Sequence, residues 1–252
     1  VAYQAATEAY NHDYTILFCN VIDDERYIAR ICSYQVSGVF IATNRLPPEA
    51  IARITSRHIP VVVLDERLSP DLPEEVSRII LDYNEVMART VDLMVERGKN
   101  RLFYLSSNPV GDFTINDGKT DAVVQAAKAN PNCAGLTVER GLTSAPDAYR
   151  LVMERYKNQV VPGYAFLCTN DDTALGVLRA LHDLGLSVPR DAAVVGVGNT
   201  YLSEMSVPRL STIDVEIDRV SQQAIRMLVK HSGEEPVPDL WIKPKLIERE
   251  TT

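Results

Sequence analysis

Residues 191–214, read as DAAVVGVGNTYLSEMSVPRLSTID, constrain the fold of this chain more than any other stretch. The apolar run over residues 192–197 is stopped by Gly196, Gly198 and Asn199, the pattern of a buried strand that ends in a loop. Just upstream, TNDDTALGVLRALHDLGLSVPRDAAVVGVGN supplies a polar cap, a helix, a glycine, a proline and this strand. About thirty residues is the size of one βαβ repeat. The loops at such strand ends are where open α/β sheets place their ligands.

The same alternation runs through the chain. Ala2, Ala5, Ala6 and Ala9 share one helical stripe, and residues 15–21 (TILFCNV) form an apolar run expected to be a buried strand. A helix over 23–34, a strand over 38–43, a proline-opened helix over 48–56 and a strand over 59–65 follow. Residues 77–82 predict another strand, 84–97 a helix closed by Gly98, and 101–106 the start of a second series. That series continues with helices over 117–129 and 145–157 and strands over 136–139 and 164–169. A helix over 216–231 and one final strand over 240–248, bent at Pro244, close the chain. The alternation predicts an α/β protein with parallel sheets and helices on both faces.

Composition narrows the function. With 46% apolar residues the 252-residue chain can bury real cores, and its length suggests one large or two small domains. A formal net charge of −8 gives no basic surface for nucleic acid, so any DNA-binding part is expected outside these residues. Cys19, Cys32, Cys133 and Cys168 are scattered, with no C-x-x-C pair and no histidine at ligand spacing. Cys19 and Cys168 fall in apolar runs, which predicts buried thiols rather than zinc or disulfides and fits a reducing cytoplasm. No apolar run reaches the roughly 20 residues needed to span a bilayer. No Ser-His-Asp spacing, phosphate loop, paired-carboxylate pattern or metal motif is present, so an enzyme and a cofactor are not expected. His58 reads as a helix-end residue.

Asn170, Asp171, Ala174, Leu175, Gly176, Gly185, Leu186, Val188, Pro189, Asp191, Gly196, Pro208, Leu210, Ser211 and Thr212 fall at fixed spacing in the pattern ND-x-x-A-L-G, G-L-x-V-P-x-D, G, P-x-L-S-T. This arrangement resembles the effector-binding core of the LacI family of bacterial transcription regulators, and the closing LIERETT is similar to that family's usual ending. The resemblance covers nearly the whole chain. It implies two doubly wound, periplasmic-binding-protein-like lobes joined by crossover strands, divided as 1–100 with 214–236 and 101–213 with 237–252, the first crossing lying near Lys99 and Asn100. It further implies a first strand and a helix-turn-helix head outside these residues, a homodimer, and a small effector held in the cleft between lobes. Hinge closure around the effector would shift the dimer between states.

The resemblance also implies site residues. Asn170 matches the asparagine that hydrogen-bonds ligand hydroxyls, and it equally suits an N-cap. Lys119 stands where sugar-binding members usually carry arginine, a change from a planar fork to a point charge. Many such members carry Asp two residues after the strand glycine; here Gly198 stands there, followed by Asn199. Loss of that charge and exposed backbone N–H groups would favour an anionic oxygen, so the expected effector is an anionic sugar, phosphorylated or acidic, with Lys119 and Asn199 near its charge. The VGNT loop also looks like that of trehalose operon repressors. In the first lobe Asp82, and Thr43 with Asn44, end strands on the cleft side, and Asp82 either orients hydroxyls or caps the helix that follows. Asp65 and Arg67 suggest an ion pair. A transport solute-binding protein of the same fold is the competing reading.

Overall fold

Continuous apolar runs need cover on both faces, and in this chain they become the central strands of two parallel sheets. The computed structural model describes residues 2–19, 24–42, 46–65, 71–110, 117–158, 163–231 and 236–252. Its elements are α1 (Ala2–Tyr10), α2 (Asp24–Ser33), β1 (Val39–Ile41), α3 (Pro48–Thr55), β2 (Val61–Asp65), β3 (Val76–Leu81), α4 (Asn84–Glu96) and β4 (Arg101–Leu105). Then come α5 (Gly118–Ala129), β5 (Gly135–Glu139), α6 (Ala145–Leu151) with a π-helical turn over Val152–Tyr156, β6 (Tyr164–Cys168), α7 (Asp171–Asp183) and β7 (Ala192–Val197). The series ends with α8 (Tyr201–Met205), β8 (Ser211–Asp214), α9 (Ile217–Lys230), β9 (Leu240–Ile242) and β10 (Lys245–Ile247).

The chain divides into two units, Val1–Leu81 with Glu216–Ile242 and Asp82–Val215 with Lys243–Thr252. The first crossing therefore lies at Asp82, not near Lys99. The reason is packing: α4 lies against α5 and touches β10, so it belongs to the second unit. The expected strand over 240–248 is likewise two short strands in different sheets, β9 beside β3 and β10 beside β8, separated at Lys243 and Pro244.

The first unit holds a parallel sheet in the order β1-β2-β3-β9. Ile28, Ile41, Ile51, Ile54, Val61 and Val63 form its core, while Ala5 and Ala9 of α1 pack with Ile225 of α9. Arg226 donates to Glu8 at 2.6 Å across that helix pair. Of the expected strand over 15–21, residues 20 and 21 lie outside the described residues; residues 14–19 lack ladder bonds, and Leu17, Phe18 and Cys19 are exposed. Among the described residues β1 is paired on one edge only, and Val39 N–H donates to Pro60 O of that side. Its other edge faces a cavity of about 790 Å³ whose walls include Ile16, Leu17, Phe40 and Leu228. Cys19 is exposed, not the buried thiol expected.

The second unit holds six strands in the order β10-β8-β7-β6-β4-β5, parallel except for β10. Phe103, Tyr156, Tyr164 and Phe166 make an aromatic cluster in its core, with Phe103 centroids 4.9 Å from both tyrosines. Cys168 is buried there, as expected, and burial pushes its thiol pKa well up. The tail beyond β10 is stitched to the sheet: Thr251 Oγ1 donates to Val194 O at 2.6 Å and accepts from Ser211 N–H at 2.8 Å.

Candidate functional site

In the second sheet β4 and β6 are neighbours, and the crossover from β4 runs outward to β5 while that from β6 runs the opposite way to β7. This is a topological switch point, where the following loops diverge and leave a crevice at the strands' carboxyl ends. The loop after β4 supplies Ser106, Ser107 and Asn108, and the loop after β6 supplies Thr169, Asn170 and Asp171. Ser107 Oγ and Thr169 Oγ1 stand 3.4 Å apart across the switch point.

The loops after β4 and β6 carry hydroxyl and amide groups beside charged ones. Asn108 Nδ2 donates to Thr120 Oγ1 at 3.2 Å, and Ser106 Oγ lies 3.3 Å from the same hydroxyl. Thr120 in turn donates through both N–H and Oγ1 to Asp117, the N-cap of α5, at 2.7 Å each. Lys119 extends from the first turn of α5 with Nζ 5.2 Å from the Tyr83 ring centroid, a cation–π distance.

Of the two roles that its sequence position allows, Asn170 performs the cap. Its Oδ1 accepts from Thr173 N–H at 2.7 Å, which caps α7. Its Nδ2 donates to no group among the described residues, and the side chain is partly exposed. The neighbouring acids are structural. Asp172 accepts from Ala145 N–H at 2.8 Å, and Asp171, 1% exposed, accepts from Thr212 Oγ1, Thr200 N–H and Thr200 Oγ1 at 2.6 to 2.8 Å. A side chain at Gly196 would collide with Asp171 Oδ1, so glycine at that position makes room for the carboxylate.

The loop after β7 differs from its sequence reading. Gly198 N–H donates to Ile213 O at 2.8 Å, Asn199 N–H to Thr212 Oγ1 at 3.2 Å and Thr200 N–H to Asp171 at 2.7 Å. These amides are engaged inside the protein and offer no nest to an anion. Asn199 itself adopts a left-handed φ of 48° and uses both ends of its amide: Nδ2 donates to Asp214 at 3.1 Å and Oδ1 accepts from Arg249 at 2.7 Å. Arg249 was not legible as part of this end of the sheet, because only the folded tail carries it there.

Asp82 accepts from both N–H and Nδ2 of Asn84, at 3.0 and 2.9 Å, which favours its helix-start role. Thr43, Asn44 and Arg67 lie outside the described residues. Asp65 is instead 4.0 Å from Arg78, whose main partner is Asp239. No group of three or more His, Cys, Asp or Glu able to hold a metal occurs among the described residues. No described helix is long and apolar enough to cross a membrane.

Comparison with known proteins agrees with this architecture. The family profile described as a periplasmic binding protein-like domain matches residues 91–252. The HTH-type transcriptional repressor PurR of Pectobacterium carotovorum is 25% identical over 249 residues, covering 95% of this chain and 71% of that protein. The ribose operon repressor of Halalkalibacterium halodurans is 26% identical, with 97% and 72% covered. Among solved structures, a LacI family regulator from Enterococcus faecium with bound ribose superposes with a TM-score of 0.82 at 19% identity, covering 99% of this chain and 92% of its own. A LacI family regulator from Arthrobacter sp. FB24 in complex with lactose gives 0.82 at 21% identity, with 100% and 93% covered. Fold, motif spacing and family match together make this chain a member of the periplasmic binding protein-like family, of the type that forms the effector-binding core of LacI family regulators.

Proposed function

We propose that this chain is the ligand-sensing core of a bacterial transcription repressor, with a small sugar-like effector bound at the carboxyl ends of β4 and β6. The observation that carries the reading is the switch point lined by Ser107, Thr169 and the unengaged Nδ2 of Asn170, a set of neutral donors and acceptors suited to hydroxyl groups. The relatives' names support the regulatory class: they are repressors, and two structural neighbours hold ribose and lactose. In this reading the whole protein is a cytoplasmic homodimer that contacts operator DNA through a helix-turn-helix segment beyond these residues. Effector binding shifts the balance between its two states. It performs no catalysis and takes no cofactor.

A neutral sugar fits better than an anionic one. Lys119 is the remaining support for a phosphate or acid, because the amides of residues 198–200 are already bonded. The test is a thermal-shift screen against D-ribose, lactose, ribose 5-phosphate and gluconate. Ligand at 100 times its dissociation constant adds about 2.7 kcal/mol of stability, a rise of several degrees. Stabilisation by a neutral sugar is the expected result. Stabilisation by the phosphate or acid alone would restore the anionic reading, and no response to any of them would remove the sugar class.

A further inference from the structure

We propose that Arg249, near the end of the chain, is a positioning residue for the effector-facing loop. Its side chain is only 11% exposed, and the guanidinium donates to three oxygens on three different stretches. These are Asn199 Oδ1 at 2.7 Å in the loop after β7, Ser203 Oγ at 3.1 Å in α8, and Leu210 O at 2.8 Å just before β8. Its own N–H donates to Ser211 Oγ at 2.8 Å, and Thr251 pins the following residues to β7. The nearest carboxylate, Glu204, is 4.0 Å away and mostly exposed, so the arginine's bonds are chiefly to neutral oxygens of the loop and its supports. A planar fork can hold three acceptors at once, and an ammonium on a flexible stem cannot reproduce that geometry.

The consequence falls on Asn199. A non-glycine residue at φ 48° persists where its surroundings determine it, and here Arg249 holds one end of the amide while Asp214 holds the other. The backbone of residues 198–200 is thereby fixed beside the carboxyl end of β7. Arg249 and Asn199 thus act on ligand binding without touching ligand. The inference rests on the reading that this loop faces the effector, and its test separates the two.

Arg249→Met and Arg249→Lys are compared with Arg209→Met, which breaks the exposed Arg209–Glu250 pair of the same tail without touching the loop. Amide hydrogen exchange is followed on the unliganded protein, and D-ribose binding by calorimetry. Both Arg249 variants should exchange the amides of residues 198–200 at least tenfold faster while β4 and β6 keep their protection, and should bind D-ribose at least tenfold more weakly. Arg209→Met should do neither. Unchanged loop exchange, a rise spread evenly through the second unit, an equal effect of Arg209→Met, or a faster loop with unaltered ribose affinity would each overturn the proposal. If the wild-type chain binds neither D-ribose nor lactose, the effector reading loses its support, and the exchange pattern alone decides whether Arg249 holds the loop.

Discussion

A single asparagine lets fold and proposed function be tested apart. Asn170 caps α7 through Oδ1, and its Nδ2 donates to no group among the described residues. Aspartate caps a helix as well as asparagine does but brings no N–H donor. Asn170→Asp should therefore leave urea stability within about 0.5 kcal/mol while weakening effector binding at least tenfold, since a lost hydrogen-bond donor leaves a ligand hydroxyl facing a charge. Asn170→Ala should lose binding and also about 1 kcal/mol of stability, the usual worth of a cap. If Asn170→Asp bound effector normally, Asn170 would be a cap and nothing more. Asp171 beside it has no such dual role. It is buried, and its hydrogen bonds tie the ends of β6, β7 and β8 together.

The elements around these residues were legible in the sequence to different degrees. The strand at β7 and helix at α7 read clearly because each signal is local: an apolar run closed by glycine, and a capped amphipathic stretch. The run over 15–21 has an equally strong local pattern, yet no ladder forms over 14–19, because a strand needs a neighbour and no local pattern supplies one. The span 240–248 failed for a related reason, since its composition does not say which of two sheets each half will join. Among the candidate residues, motif spacing put Asn170 and Lys119 at the starts of their helices, where α7 and α5 begin. The engagement of the 198–200 amides by Asp171, Thr212 and Ile213 is tertiary and was invisible. Helix packing offers a test at this scale. A methyl group at Gly176 of α7 would overlap the backbone of Ala145 at the start of α6. Intrinsic propensity makes alanine about 1 kcal/mol better than glycine within a helix. Overpacking at this crossing should reverse the sign, so Gly176→Ala is expected to destabilise by about 2 kcal/mol in urea titration. A stabilised variant would mean that the two helices separate freely.

At the scale of the whole molecule, charge dominates the response to pH. Asp147, Asp183, Asp191, Glu8 and Glu250 all have pKa values below their ordinary ones, chiefly through hydrogen bonds from Ser144, Arg179, Arg190, Arg226 and the Arg209 backbone respectively. A carboxylate with a lowered folded pKa stabilises fully above its unfolded value, and the contribution is lost as pH falls through the folded value. The ordinary values here are 3.8 for Asp and 4.5 for Glu, so stability should hold down to about pH 4.5 and fall below it. The net charge vanishes earlier, near the pI of about 5.1. Turbidity should therefore peak near pH 5 while near-UV circular dichroism stays native, and the dichroism should collapse only at lower pH. Simultaneous loss of both would show that these carboxylates contribute little. The position of β1 bears on solution behaviour in another way. Among the described residues it has a neighbour, β2, on one side only. Any extended segment laid along its other side would complete the sheet and cover a row of backbone groups of the kind that otherwise invites edge-to-edge pairing.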